Sequence, residues 1–261
     1  MFDIIPFLPL AAAFTLVFFR VALVISMLPL FGEQTTPTTV KVLLAMALSL
    51  ALVPAADVAW TNLPATVPRL MLALLPEAVF ALAIGLTTRI LLETSHIAGE
   101  LVGLQMGFMT ASVVDPANNS QISLVSQFWQ IATILVFFMI NGHHVVILAL
   151  SRSFDFLPPL SAAFRPDYLE FMNLMTLRMF VVALQLAAPV VVATMLVNIC
   201  LALVNKVAPN LHVFMESFPL RILLGLAMLV TLSGAIVTIL ARYIGGLETS
   251  LAALLKIAAG Q

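Results

Sequence analysis

Residues 122–150 of this chain read ISLVSQFWQIATILVFFMINGHHVVILAL, inside a longer stretch, Pro116 to Ser151, that contains no Asp, Glu, Lys or Arg. A helix needs about 20 mainly apolar residues to cross the hydrocarbon core of a bilayer. This stretch is long enough, and its strongest interruption is Asn141-Gly142-His143-His144. It predicts a long apolar helix that packs against lipid or other apolar protein.

The composition of the whole chain agrees with that stretch. Of its 261 residues 62% are apolar and 9% are charged, and the mean hydropathy is +1.16. About one-quarter of the residues of an ordinary soluble protein are charged, so this composition predicts an integral membrane protein. The net charge is −1 and the charges are scattered, which gives no basic patch and excludes nucleic acid as a partner. The single cysteine, Cys200, allows neither an intrachain disulfide nor a cysteine metal cluster.

Apolar runs separated by Gly, Pro and polar residues predict an all-α fold of about six long, partly kinked helices arranged as hairpins. The second helix is short for a membrane span, and the N-terminus lacks the basic region of a signal peptide, so we expect the first helix to be retained. No linker divides the chain, so residues 1–261 are expected to form one membrane-embedded unit. The predicted helices cover residues 4–30, 40–58, 70–106, 122–150, 172–205 and 219–244.

Three charged residues, Arg20, Glu77 and Arg178, fall within or near the ends of the apolar helices. A charge at the centre of a bilayer costs about 2.5–3.5 kcal/mol on insertion scales, so these residues are expected to be buried and partnered. One interpretation is a proton or ion relay, and the other, which we favour, is a set of ion pairs or interfacial anchors. Arg20 and Glu77 are a possible pair.

The third helix carries a polar stripe, which we define as Arg89, Glu93, His96 and Glu100. The spacing of 4, 3 and 4 residues places these side chains on one face of a helix. Gly99, Gly103 and Gly107 recur along the edge of the stripe and would allow a second backbone to approach closely. The stripe predicts either subunit packing or a solvated face, and His96 alone does not indicate a metal site.

An irregular loop is predicted between the third and fourth helices, over residues 107–121. Asp115-Pro116 disfavours a helix there, and Asn118, Asn119 and Ser120 readily bond to nearby backbone. Such backbone is tolerated at membrane depth only where protein or a water-filled cavity surrounds it. The loop is therefore either a pore element or a connection outside the membrane.

No catalytic group, phosphate-binding loop or metal-ligand spacing is visible, so no enzyme activity, cofactor or metal is expected.

Five motifs along the chain resemble the FliR family, and they occur in that family's order. The resemblance also includes Arg20 and the stretch from Pro29 to Lys41, so it covers nearly the whole chain. The motifs are Gly103-Leu104-Gln105-Met106-Gly107, Val114-Asp115-Pro116, Asn141-Gly142-His143-His144, Ala208-Pro209-Asn210-Leu211-His212-Val213-Phe214, and Phe218-Pro219-Leu220-Arg221 with Gly225.

This resemblance implies a subunit of the flagellar type III protein-export gate in the bacterial inner membrane, within the flagellar basal body. In that family FliR assembles with FliP and FliQ chains into a helical pore on which FlhB docks, and unfolded flagellar proteins pass through it. Residues 1–150 would then be the FliP-like part and residues 172–245 the FliQ-like hairpin.

The resemblance further implies that the loop after Gln-Met-Gly, here about Met106 to Ile122, plugs the pore. Some relatives carry aromatic residues where this chain has Thr110 and Val113, so Phe108 and Met109 are the candidates for the apolar seal. The predicted plug residues are Met106, Gly107, Phe108, Met109, Thr110, Val113, Asp115 and Pro116.

Three other functions compete with a flagellar export gate. A virulence-type secretion gate would share the same sequence features. A secondary transporter or ion channel should show broken helices in corresponding halves and charges converging on one site. An intramembrane enzyme should depend on a small set of polar residues.

Overall fold

The protein is described here by a computed structural model that covers residues 7–28, 36–56, 67–108, 124–208 and 213–260. Within these ranges every regular element is helical, which confirms the all-α prediction. The α-helices are α1 (Phe7–Met27), α2 (Thr38–Leu52), α3 (Val67–Met106), α4 (Leu124–Met139), α5 (Gly142–Phe156), α6 (Asp167–Val207), α7 (Val213–Gly245) and α8 (Leu247–Ala259), with a 3-10 turn at Val53–Ala55 after α2.

The predicted fourth helix is in fact two helices, α4 and α5, and the chain bends by 64° between them. Asn141 causes the break because it adopts the left-handed conformation, with φ 58°, at the start of α5. Its carbonyl accepts hydrogen bonds from the amides of His144 (3.0 Å) and Val145 (3.3 Å), which begin the new helix. Asparagine adopts this conformation more readily than most residues, because its short polar side chain bonds locally.

The last helix, α8, was missed in the sequence. Its buried residues Leu247, Leu251, Leu254, Leu255 and Ala258 form one apolar face, which packs against α5. Glu248 in the first turn, Lys256 in the last and Gly260 after it in the left-handed conformation are ordinary helix-end signals. That face has the spacing of an amphipathic helix, so the pattern was present but shorter than the runs that marked the other helices.

In the part of the chain that the structure describes, three helical stretches are long and apolar enough to cross a membrane: Pro68–Met106, Asp167–Val207 and Ser217–Ala259. The bent pair of α4 and α5 would make a fourth if it is one broken span. The second helix has 15 residues and is too short to be among them, as the sequence suggested. Prolines at 76, 189 and 219 lie inside α3, α6 and α7 without ending those helices.

The chain divides into two compact units. The first unit consists of Met1–Leu91, Asn141–Met175 and Gly245–Gln261, and the second of Leu92–Ile140 and Thr176–Ile244. In the first unit α1 packs on α2, and α5 packs on α8. The second unit contains the C-terminal part of α3, the helix α4 and most of α6 and α7. The division into residues 1–150 and 172–245 stays a prediction.

Candidate functional site

Arg20 of α1 lies in the first unit, with none of its surface exposed. Its Nε atom donates to Oε1 of Glu77, which is also buried. The Nη1 atom donates to both the backbone O and the Oγ of Ser153, each at 3.0 Å, and Nη2 donates to the backbone O of Leu157 at 3.0 Å. Arg20 thus joins α1 to two other segments of the first unit, α3 and the C-terminal end of α5.

Two aromatic rings complete this arginine cage, the name used below for Arg20, Glu77, Ser153 and Leu157 with Phe80 and Phe154. The guanidinium carbon lies 4.5 Å from the centre of the Phe154 ring and 5.2 Å from that of Phe80. A planar guanidinium can stack on aromatic faces while its edge donates hydrogen bonds, which an ammonium group cannot do. The cage is therefore specific for arginine.

The helix arrangement brings these groups together. Met27 of α1 lies against Gly85 of α3, where an added Cβ would come 2.5 Å from the Met27 Cβ. Arg20 meets Glu77 about two turns earlier on both helices, so α1 and α3 run in the same direction over this stretch. The absence of a side chain at Gly85 allows the close approach that the pair requires.

The cage also closes the end of α5. Ser153 lies in its last turn and Leu157 directly follows it. The Ser153 carbonyl also accepts the Leu157 amide at 2.9 Å, so Arg20 bonds to carbonyl groups at the end of the helix. A cation at a helix C-terminus also interacts favourably with the helix dipole. These bonds favour the ion-pair interpretation of Arg20 and Glu77 over a relay, because the guanidinium is held by several fixed partners at once.

Arg178 requires a correction. It was predicted to be buried, but its side chain is exposed on the surface of this chain. The buried face of α6 here contains Met175 and Met179, and residue 178 points about 100° away from residue 179 around the helix. Among the described residues the buried charges are Arg20 and Glu77, and Arg178 is not one of them.

The polar stripe of α3 is partly solvent-accessible. Arg89 is exposed, whereas Glu93, His96 and Glu100 are half-buried. The Nε2 atom of His96 lies 4.0 Å from Oε1 of Glu100, and the Ser126 hydroxyl on α4 donates to that same oxygen at 2.6 Å. Glu100 is thus held to α4 of its own chain.

Gly99, on the glycine edge of the stripe, also packs against the same chain. At Gly99 an added Cβ would overlap the Cα of Ser126 and come 3.0 Å from its backbone N. Gly99 and Gly103 are both buried. The sequence predicted that these glycines admit a second backbone, and at Gly99 that backbone is α4 rather than another subunit.

Gly107 ends α3 in a Schellman motif. Its φ is 85°, its amide donates to the Leu104 carbonyl at 3.1 Å, and the Phe108 amide donates to the Gly103 carbonyl at 3.1 Å. A residue with a side chain would be strained at this positive φ, so glycine fixes where the helix stops. Gly107 and Phe108 are half-buried.

Met106 was predicted to be the first residue of the plug loop, and the structure corrects this. It is the last residue of α3, it is fully buried, and its side chain lies on Gly225 of α7. An added Cβ at Gly225 would come 2.5 Å from Cγ and 2.6 Å from Sδ of Met106. The methionine fills the space that the glycine leaves, so it belongs to the packed part of the second unit. The other predicted plug residues, Met109, Thr110, Val113, Asp115 and Pro116, lie outside the described residues.

Sequence reasoning missed Ser126, Ser153 and the role of Gly225. Gly225 stood in a recognised motif, but nothing in the sequence indicated which residue it would face. Serines in apolar helices commonly bond to their own backbone, so their partners on other helices cannot be found by spacing alone.

The sequence matches the family model described as bacterial export proteins, family 1, over residues 11–247. It is similar to the flagellar biosynthetic protein FliR of Bacillus subtilis strain 168, with 30% identity over 223 residues that make up 84% of this chain and 85% of that protein. It is 32% identical to FliR of Aquifex aeolicus strain VF5 over 225 residues, which are 85% of each chain. FliR of Escherichia coli strain K12 is 30% identical over 219 residues, covering 82% of this chain and 81% of that protein.

Proposed function

Because this chain belongs to the bacterial export proteins, family 1, together with the flagellar biosynthetic proteins FliR, we propose that it helps form and plug the pore of the flagellar type III export gate. The chain is a component of the flagellar export apparatus in the inner membrane, at the flagellar basal body. The pore, its plug and the passage of unfolded flagellar proteins are the proposal.

The match over residues 11–247, combined with the apolar surface of the chain, carries the proposal. In Asp167–Val207, only 28% of an apolar window of 18 residues is buried within the chain. In Ser217–Ala259 the buried share of such a window is 6%. So large an apolar surface must be covered by lipid or by other membrane proteins. We assign part of it to FliP-like and FliQ-like gate subunits and to an FlhB-like protein, and the rest to the bilayer.

The plug is assigned to the chain between α3 and α4. This connection follows a membrane-length helix directly, and it combines Phe108, Met109 and Val113 with the polar residues Thr110 and Asp115. An apolar constriction can close a pore by excluding water, and methionine can deform around a passing chain. The same segment could therefore block ions at rest and yield to an unfolded protein.

The polar stripe is assigned to subunit packing on its exposed side. Arg89 is exposed on a helix long enough to span the membrane, where an isolated charge is costly. A carboxylate on a neighbouring subunit would remove that cost. Glu93 and His96 are half-buried and lie on the same face, so they would border the same contact.

The plug is tested by replacing residues 108–120 with a Gly/Ser linker of equal length. This change keeps Gly107 and therefore the end of α3. The ion conductance of the assembled complex, measured in a planar bilayer, should rise, because the linker cannot form an apolar seal. The amount of assembled complex on a native gel serves as the control. Normal assembly with unchanged conductance would refute the plug.

A further inference from the structure

We propose that Gly99, Glu100 and Ser126, with Met106 and Gly225, form a two-point anchor that positions the end of α3 relative to the start of α4. The proposal rests on the proposed function, because these two helix ends flank the segment assigned to the plug. All five residues lie in the second unit. They are positioning residues for the closed pore and do not themselves line it.

The first point holds the start of α4. Ser126 is the third residue of α4, and its Cα faces the bare Cα of Gly99 with no side chain between them. The Ser126 hydroxyl also donates to Glu100 at 2.6 Å, and Ser126 is fully buried. A backbone contact and a hydrogen bond to a carboxylate thus act on the same residue. Because the contact is between backbones, no rotamer change can relieve an added side chain at position 99.

The second point holds the end of α3. Met106 is the last helical residue, its side chain is fully buried on Gly225 of α7, and the Schellman motif at Gly107 stops the helix immediately after it. The end of α3 is therefore fixed both in length, by the cap, and in position, by α7. Met106 has a flexible side chain, so a Cβ at Gly225 would displace it rather than push the backbone away.

The two points lie close together along α3. Met106 follows Gly99 by seven residues, which is about 10 Å along a helix. The ends of the connecting segment are therefore held near each other on one rigid element, whatever path the segment takes between them. A plug must return to the same place after each export event, and a fixed pair of ends makes that return reproducible.

The anchor is tested with single substitutions in the full chain within its assembled complex. Gly99→Ala should raise the resting ion conductance several-fold, because it forces the start of α4 away from α3. Gly225→Ala should raise it less. Met106→Ala combined with Gly225→Ala should return the conductance to the level of Met106→Ala alone, because the two changes act on one contact. The matched control is Gly234→Ala. Gly234 lies on α7, as Gly225 does, but an added Cβ there meets nothing within 4 Å.

A distance measurement separates failure of the anchor from failure of the plug. Spin labels at Phe108→Cys and Leu124→Cys, in a chain with Cys200→Ser, report the separation of the two helix ends. Gly99→Ala should lengthen or broaden that distance, and Gly234→Ala should leave it unchanged. An unaltered distance in Gly99→Ala would overturn the anchor whatever the conductance. A changed distance without any change in conductance would instead overturn the proposed function.

A final comparison tests whether the anchor acts through the plug segment. In a chain where a Gly/Ser linker replaces residues 108–120, Gly99→Ala should add no further conductance, because no seal is left to position. A further increase there would show that the substitution damages the pore wall directly, and the positioning role would be wrong.

Discussion

At the residue scale, the arginine cage shows what an isolated charge needs in an apolar protein. A guanidinium has five N–H donors, and here its nitrogens reach a carboxylate, two backbone carbonyls and a hydroxyl. The sequence could suggest Arg20 and Glu77 as a pair, because few charges occur in the apolar runs. It could not suggest Ser153 and Leu157, because two of the four acceptors are backbone carbonyls, which every residue possesses.

Removing one charge of the cage should be far more harmful than removing both. Glu77→Gln leaves a buried cation without its counter-ion, and Arg20→Met leaves a buried carboxylate, so each should lower the free energy of unfolding by about 3–5 kcal/mol. The double variant Arg20→Met with Glu77→Met should recover much of the loss, because apolar side chains carry no desolvation cost. Denaturant unfolding of the purified chain in detergent measures all three.

Arg20→Lys separates charge from geometry. Lysine keeps the charge but has a single compact ammonium group, which cannot match the planar fork of partners. We expect a loss comparable to that of Arg20→Met, whereas stability equal to the wild type would mean that the charge alone matters and that the cage geometry contributes nothing.

At the element scale, five of the six predicted helices correspond to single helices, including the 15-residue α2, whereas the break at Asn141 and the short α8 could not be predicted. The third, fifth and sixth predicted helices correspond to α3, α6 and α7, because an apolar run of that length has few alternatives to a helix. The break at Asn141 depends on one backbone conformation rather than on composition. Several boundaries also moved outward: α7, for example, begins at Val213 and takes in Pro219.

The bend between α4 and α5 should depend on the residue at position 141. Asn141→Gly should leave stability nearly unchanged, because glycine adopts positive φ freely. Asn141→Val should destabilise the chain by about 1–2 kcal/mol, since a β-branched residue is strained in the left-handed region. The same unfolding assay compares the two variants. Equal stability of the valine and glycine variants would mean that the chain does not require the left-handed conformation at this position.

At the scale of the whole molecule, the apolar surface decides how the protein can exist. Val207, Val230 and Leu223 are 86%, 74% and 67% exposed, and they lie on the long helices α6 and α7. Composition predicted such surface, because 9% charge cannot cover a protein of this size with polar groups. It could not predict which faces would stay uncovered, because that depends on how the helices of this chain pack.

A secondary transporter would be expected to bury charges around a shared site, whereas here Arg20 and Glu77 bond to each other and Arg178 is exposed.

The native assembly should therefore contain several different membrane chains. Lipid can cover part of the exposed surface, but the exposed Arg89 on a membrane-length helix requires a polar partner, and none of its contacts within the described residues supplies an ion pair. Mass measurement of the complex extracted in mild detergent should give one mass in which this chain occurs with other membrane proteins in fixed, unequal copy numbers. Arg89→Glu should weaken that assembly, because it places a like charge against the expected carboxylate, whereas Arg89→Lys should largely keep it. A stable monomer that carries only lipid and still supports export would contradict the assembly and the gate together.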